Sequence, residues 1–130
     1  MIKIIDIPIY RCSVICLYGS TLDDWSEFFD KQLKEDKLST KVDVAVRDEY
    51  ENNSPGFVLP TGYNDYVMYV NDAENVGLVA HEIFHTAHCI LYDRGYEADG
   101  TAEPEAYLIE FITSKFYTEW LKEESKENNE

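Results

Sequence analysis

The sequence has little positive charge. Of its 130 residues, 11 are Lys or Arg and 26 are Asp or Glu, which gives a formal net charge of −15. So large a negative excess disfavours binding to nucleic acid or to an anionic membrane surface, and it favours solubility. So acidic a protein could instead mimic DNA and bind nucleic-acid-binding proteins, which is a minor alternative function.

Cysteine is also scarce. The only cysteines are Cys12, Cys16 and Cys89, an odd number without the spacing of a disulfide framework, so a reducing compartment is expected. The N-terminal residues are interrupted by Asp6 and Pro8, and they lack the basic region and small-residue cleavage site of a secretory signal. No apolar run approaches the ~20 residues that a membrane span needs. These features together predict a cytoplasmic protein.

Apolar residues are plentiful enough for one core, since 45% of the chain is hydrophobic and 14% is aromatic. No linker, repeat or low-complexity block divides the chain. We therefore expect a single domain over residues 1–122, followed by an acidic, flexible tail over residues 123–130.

The spacing of apolar residues predicts an α+β fold. Alternation predicts strands over residues 2–9 and 42–46, a more uniformly apolar run predicts a better-covered strand over 12–18, and a further strand is expected over 66–70. Helical periodicity predicts helices over about 22–35, 73–94 and 101–121. Pro8 cannot donate to a neighbouring strand, so the first strand is expected near a sheet edge. The expected architecture is a mostly antiparallel N-terminal sheet with one helix, followed by two C-terminal helices.

The helix predicted over 73–94 contains the pattern H-E-x-x-H at His81-Glu82-Ile83-Phe84-His85. Residues four apart lie one turn apart on the same face, so the two imidazoles can bind one Zn²⁺ ion. Glu82 is then placed to act as the general base of a metallopeptidase. The pattern therefore predicts a metal centre with His81 and His85 as ligands.

A third ligand has to come from another element. His88 lies on the same face, but it is about 10 Å from His81 along the helix axis, too far for one zinc to bridge. We expect His88 at the rim of the site. The last predicted helix begins with two candidate carboxylates, Glu103 and Glu105, which follow His85 by 18 and 20 residues.

A resemblance to the gluzincin class of zinc peptidases accompanies these motifs, because gluzincins combine an H-E-x-x-H helix with a Glu on a following helix. The gap of 20 residues resembles the thermolysin arrangement and would select Glu105. The chain more closely resembles small phage-encoded metallopeptidase-like proteins, which look like minimal gluzincins. The segments that carry this second resemblance are residues 81–85, 93–95, 99–103 and 106–109.

In the phage-encoded family the shared pattern has a Glu three residues before Ala-Tyr-Leu, which is Glu103 in this sequence. Pro104 departs from helical geometry at that point and the connecting turn is about one residue short, so Glu105 stays open as the alternative. The resemblance implies a zincin-like domain, a hydrolase with one Zn²⁺ held by His81, His85 and Glu103. It also implies a phage protein in the host-cell cytoplasm.

The expected reaction is hydrolysis of a peptide bond in a protein or peptide substrate. Tyr107, Tyr96 and His88 are all candidate oxyanion donors. By analogy with zinc peptidases, strand 66–70 would offer a backbone edge to an extended peptide. The main alternative is a catalytically silent, zinc-containing module that binds a phage or host protein.

Overall fold

A four-stranded mixed sheet lies between two pairs of helices in the computed structural model, which describes residues 1–35, 37–96 and 103–128. In chain order the elements are β1 (Ile2–Ile7), a 3-10 turn (Pro8–Tyr10), β2 (Cys12–Tyr18), α1 (Leu22–Lys34), α2 (Thr40–Glu51), β3 (Gly56–Pro60), β4 (Tyr66–Val70), α3 (Val76–Asp93) and α4 (Glu103–Asn128). The α+β class is confirmed, with two helices rather than one before the H-E-x-x-H helix.

The strands are arranged in the order β1-β2-β4-β3. β1 pairs antiparallel with β2, β2 pairs parallel with β4, and β3 pairs antiparallel with β4. β1 therefore lies at an edge, as Pro8 predicts. β4 is central, so the prediction that strand 66–70 offers a free edge is wrong, and β3 forms that edge instead. Strand order depends on contacts between distant residues, which local patterns do not encode.

Both faces of the sheet are covered by helices. Val14, Cys16 and Met68 are buried in one core together with α3 and α4. Ile15 and Val67, their neighbours on β2 and β4, are buried in a second core with α1 and α2. Because successive side chains point to opposite faces of a sheet, a strand covered on both sides is apolar throughout. This accounts for the apolar run Val14–Tyr18 of β2.

The strand predicted over residues 42–46 is wrong, because this segment lies within α2. Val42 and Val46 are buried, whereas Val44 between them is 58% exposed. Burial every fourth residue is the helical period, and it places one face of α2 against the sheet. The alternating valines resembled a strand because β-branched residues favour strands and an alternation of three residues is too short to distinguish the two periods.

α3 begins and ends close to the predicted positions. The Asn75 side chain caps its start by accepting a hydrogen bond from the Leu78 N–H at 3.1 Å. At its end Gly95 has a φ of +73°, the left-handed conformation that glycine adopts after a helix. The observed helix is Val76–Asp93, against a predicted range of 73–94.

Two other boundaries differ from the predictions. β1 ends at Ile7 because Pro8 begins a 3-10 turn, and Ile9 is 81% exposed rather than part of the strand. α4 continues to Asn128, beyond the predicted end near residue 121. The Lys3 ammonium lies 3.1 Å from a Glu123 carboxylate oxygen and links this extension to β1. Thr101, where the last helix was predicted to open, lies outside the described residues.

Candidate metal centre

α3 brings the imidazoles of His81 and His85 together on its exposed face. The two Nε2 atoms are 3.1 Å apart, and the ring centroids are 4.6 Å apart with the planes at 77°. The i, i+4 spacing produces this contact, because it places the side chains one turn apart. The opposite face of α3 is apolar and packs into the core through Val79, Ile83 and Ile90, which are all buried.

The separation of the two nitrogens fits a zinc ion. With Zn–N bonds of about 2.0–2.1 Å and a tetrahedral angle, two ligating nitrogens lie about 3.3 Å apart. The observed 3.1 Å is close to this value. The distance also suits a hydrogen bond between a donor ring and an acceptor ring. Metal content therefore distinguishes the two interpretations.

The Glu82 carboxylate lies beside the histidine pair but is buried. Its Oε1 atom is 4.0 Å from His81 Nε2, and the residue is only 5% exposed. Burial raises the pKa of Glu82 above its ordinary value, the neighbouring imidazoles of His81 and His85 oppose this rise, and the Glu49 carboxylate adds to it. A carboxylate held in this way has a stronger tendency to take up a proton than one in water.

Gly56 on β3 makes room for the Glu82 side chain, a role that was not predicted from the sequence. A Cβ atom at position 56 would lie 2.8 Å from both Cγ and Oε1 of Glu82, closer than Cβ contacts are normally found. An isolated glycine in a strand often marks the close approach of another group. In the sequence, the sign of this close approach was the position of Gly56 at the start of the short apolar run Phe57-Val58-Leu59.

The structure does not bring a third ligand to the histidine pair among the residues that it describes. Within residues 1–35, 37–96 and 103–128, no group of three or more His, Cys, Asp or Glu side chains is arranged to hold a metal ion. Glu103 and Glu105 both lie in the first turn of α4, where Glu103 is exposed and Glu105 is partly buried. The two side chains point in nearly opposite directions, because they are two residues apart on a helix.

The three candidate oxyanion donors occupy different surroundings. His88 is exposed on α3, between the rings of Phe84 and Tyr92. Tyr96 is partly buried and packs against the core beneath α3 and α4. Tyr107 is 67% exposed and lines a groove with residues of the N-terminal segment. His88 is therefore the candidate that shares the exposed face of the histidine pair.

The site stands without support from known proteins. Comparisons with protein-family models, with curated proteins and with solved structures find no match for this chain. Among the described helices, none combines the length and apolar content needed to cross a membrane. A functional assignment therefore depends on the geometry of His81, Glu82 and His85.

Proposed function

We propose that this chain is a zinc-dependent peptidase in which His81 and His85 bind the metal and Glu82 is the general base. One observation carries the proposal: two Nε2 atoms lie 3.1 Å apart on an open helix face, beside a buried carboxylate. Three side chains of one helix thus combine a fitting pair of metal ligands with a base. A pair of surface histidines with no function would not need a buried carboxylate such as Glu82 beside it.

Each residue has a defined chemical task in this proposal. A bound Zn²⁺ would supply Lewis-acid polarisation of the scissile carbonyl and would lower the pKa of water. Glu82 takes a proton from water as the water oxygen forms a bond to the carbonyl carbon. It then gives that proton to the leaving nitrogen as the C–N bond breaks. Its burial suits the first step, since a raised pKa makes the carboxylate a better proton acceptor.

β3 is the strand on which an extended substrate would lie. Among the described strands it pairs with β4 alone, as the last strand in the sheet order. Its first residue, Gly56, lies directly against Glu82. A peptide that adds to the free side of β3 by main-chain hydrogen bonds would therefore pass close to the general base.

Glu103 is our proposed third ligand, with Glu105 as the alternative. The exposure of Glu103 supports this choice, since a ligand from α4 has to extend away from the core toward the open face of α3. Glu105 lies instead on the side of α4 that carries the buried residues Leu108 and Ile112.

Elemental analysis of purified protein tests the metal site. We expect one zinc per chain in the wild type and loss of zinc in His81→Ala and in His85→Ala. His88→Ala is the matched control, because it removes an exposed histidine from the same face and should retain the metal. Zinc retained in both His81→Ala and His85→Ala would rule out the site. Glu103→Ala and Glu105→Ala, analysed alongside, identify the third ligand by which of them loses zinc.

Cleavage of a peptide library by the wild type and by Glu82→Gln tests the reaction. We expect Glu82→Gln to retain zinc and to lose hydrolysis, since the amide cannot accept the proton. Unchanged cleavage in Glu82→Gln would contradict the role of Glu82. A zinc-loaded wild type that cleaves no peptide would favour the alternative of a binding module.

A further inference from the structure

Three aromatic rings form an exposed row on α3 that begins beside the histidine pair. Phe84, His88 and Tyr92 are spaced four residues apart, and their ring centroids are separated by 6.4 and 6.1 Å. Neighbouring planes lie within 18° and 23° of parallel. Phe84 is 52% exposed and Tyr92 is 73% exposed, so ring surface is open to a ligand. The Phe84 ring is also 6.0 Å from the His85 ring, which makes the row continuous with the proposed metal site.

The part of the chain that carries this row is almost devoid of fixed positive charge. Between Arg47 and Lys115 the sequence has thirteen acidic residues and a single Lys or Arg, which is Arg94. This segment supplies β3, β4, α3 and the first turns of α4. The Arg94 guanidinium is occupied within the fold, since it donates to the Tyr66 hydroxyl and to the carbonyl oxygens of Tyr10 and Ile90. The segment that carries the ring row and the histidine pair therefore has twelve more acidic than basic residues, thirteen against one.

We propose that this ring row, Phe84-His88-Tyr92, binds basic side chains of a peptide substrate that has Lys or Arg at alternate positions. The inference rests on the proposed peptidase function and identifies the class of substrate for that same site. A basic peptide is attracted to this acidic protein, whereas an acidic peptide is repelled by it. Ring faces also attract Lys and Arg side chains through cation–π interactions.

The spacing of the rings selects the pattern of the peptide. An extended chain rises about 3.3–3.4 Å per residue, so side chains two residues apart point the same way and are separated by about 6.6–6.8 Å. The rings repeat at 6.4 and 6.1 Å, close to the rise of four helical residues. Three basic residues at alternate positions can therefore each meet one ring. Three consecutive basic residues can place only the first and third on the same side.

Peptide binding to the Glu82→Gln variant tests the inference without hydrolysis. Three fluorescent peptides of equal length are compared by anisotropy: one with Arg at alternate positions, one with the same three Arg in succession, and one with citrulline in place of each Arg. We expect the alternating peptide to bind about two- to fivefold more tightly than the contiguous one, the effect of one exposed ring. The citrulline peptide should bind about tenfold or more weakly than the alternating one.

Substitutions in the ring row test the same inference from the side of the protein. In the Glu82→Gln background, Phe84→Ala and Tyr92→Ala should each weaken binding of the alternating peptide about two- to fivefold. Tyr92→Phe retains the ring and should retain the affinity. Tyr63→Ala is the matched control, because Tyr63 is an aromatic residue of similar exposure, 51%, in the turn between β3 and β4. It should bind like its parent.

The inference is overturned if citrulline and arginine peptides bind equally, or if Phe84→Ala and Tyr92→Ala bind like the Tyr63→Ala control. These results are separable from the peptidase proposal. Wild-type cleavage of neutral and basic peptides with equal kcat/KM would reject the ring row as a subsite while the peptidase stands. Ring-dependent binding in Glu82→Gln, without cleavage of any peptide by the wild type, would reject the peptidase and leave the binding surface.

Discussion

Gly56 controls the position of the Glu82 carboxylate. The backbone of β3 passes so close to Glu82 that a single added methyl group would overlap its Cγ, Cδ and Oε1 atoms. The nearest atoms to such a methyl group all belong to Glu82, and none belongs to the histidine pair. The contact therefore links the base, rather than the metal ligands, to the edge strand of the sheet.

Substitution of Gly56 by Ala should separate catalysis from metal binding. We expect hydrolysis to fall about ten- to hundredfold, because displacement of a catalytic group by about 1 Å has effects of this size. Zinc content should stay at the wild-type level. The measurements are kcat/KM on a cleaved peptide and elemental analysis of the same preparations.

Gly77→Ala provides the comparison for this variant. A Cβ atom at position 77 would lie 3.7 Å from the Asn75 Oδ1 atom, an ordinary contact, and the position is in the first turn of α3. Helical Gly→Ala substitutions stabilise by about 0.5–1 kcal/mol, so activity should stay unchanged and Tm should rise slightly. Equal activity in Gly56→Ala and Gly77→Ala would show that the close contact at Gly56 has no catalytic consequence.

The start of α1 is held by a reciprocal cap. The Thr21 side chain accepts from the Asp24 N–H at 3.1 Å, and the Asp24 carboxylate accepts from the Thr21 N–H at 3.0 Å. A hydroxyl residue followed three positions later by an acid, as in Thr21 and Asp24, is the sequence pattern of such a capping box. The backbone hydrogen bond from Thr21 lowers the pKa of Asp24 below its ordinary value.

Removal of the cap should destabilise the protein in a manner that depends on pH. Thr21→Ala is expected to cost about 1 kcal/mol in the free energy of unfolding, whereas Thr21→Ser keeps the acceptor and should cost less.

Because the pKa of Asp24 is depressed on folding, the contribution of its carboxylate to stability is present above the unfolded pKa of about 3.9. That contribution is lost as the pH falls through the lower folded pKa. Urea unfolding of Asp24→Ala should thus show a deficit at pH 7 that shrinks below about pH 4. A deficit that is constant with pH would contradict this.

α4 is attached to the sheet through Tyr18 on β2. The Tyr18 hydroxyl donates to the Phe116 carbonyl oxygen at 2.8 Å, and the two rings stack with centroids 4.3 Å apart. Burial raises the pKa of Tyr18 above its ordinary value, so the hydroxyl remains a donor at every pH at which the unfolded side chain is also protonated. This contact fixes the helix that carries Glu103 against the centre of the sheet.

Tyr18→Phe keeps the stacked ring and removes only the hydrogen bond. We expect a loss of about 0.5–1.5 kcal/mol in the free energy of unfolding, measured with urea near neutral pH. Tyr63→Phe, at an exposed position, should change stability by less than about 0.5 kcal/mol. A neutral Tyr18→Phe would mean that ring stacking alone holds α4 at this point.

For the whole molecule, the formal net charge of −15 acts against the compact state. Self-repulsion between exposed carboxylates is screened by salt, since the Debye length falls from about 30 Å at 0.01 M to about 10 Å at 0.1 M. Surface ion pairs such as Lys3–Glu123 are screened as well, but each contributes little. Repulsion should therefore dominate the response to salt.

Thermal unfolding should show this balance directly. We expect Tm to rise by about 3–5 °C at pH 7 when NaCl is increased from low to moderate concentration, a stabilisation of about 1 kcal/mol. At pH 4.5, where carboxylates with ordinary pKa values of about 3.9–4.3 begin to be protonated, the increase should be smaller. A fall in Tm with salt at pH 7 would mean that attractive pairs outweigh the net repulsion.

The sequence alone determined the parts of this protein that depend on neighbours along the chain. The capping box of α1, the glycine after α3 and the meeting of His81 with His85 all arise within one or two helical turns, where backbone hydrogen bonds fix the geometry. The apolar run of β2 likewise indicated a strand covered on both faces.

Tertiary structure determined the contacts between residues that are far apart in the sequence. Only the packed sheet places β3 at the edge and Gly56 against Glu82, and only packing of α2 makes a helix of the valines that resembled a strand. The H-E-x-x-H helix could thus be predicted with its two histidines. The surroundings of its Glu could not, because burial and strand order come from contacts between segments far apart in sequence.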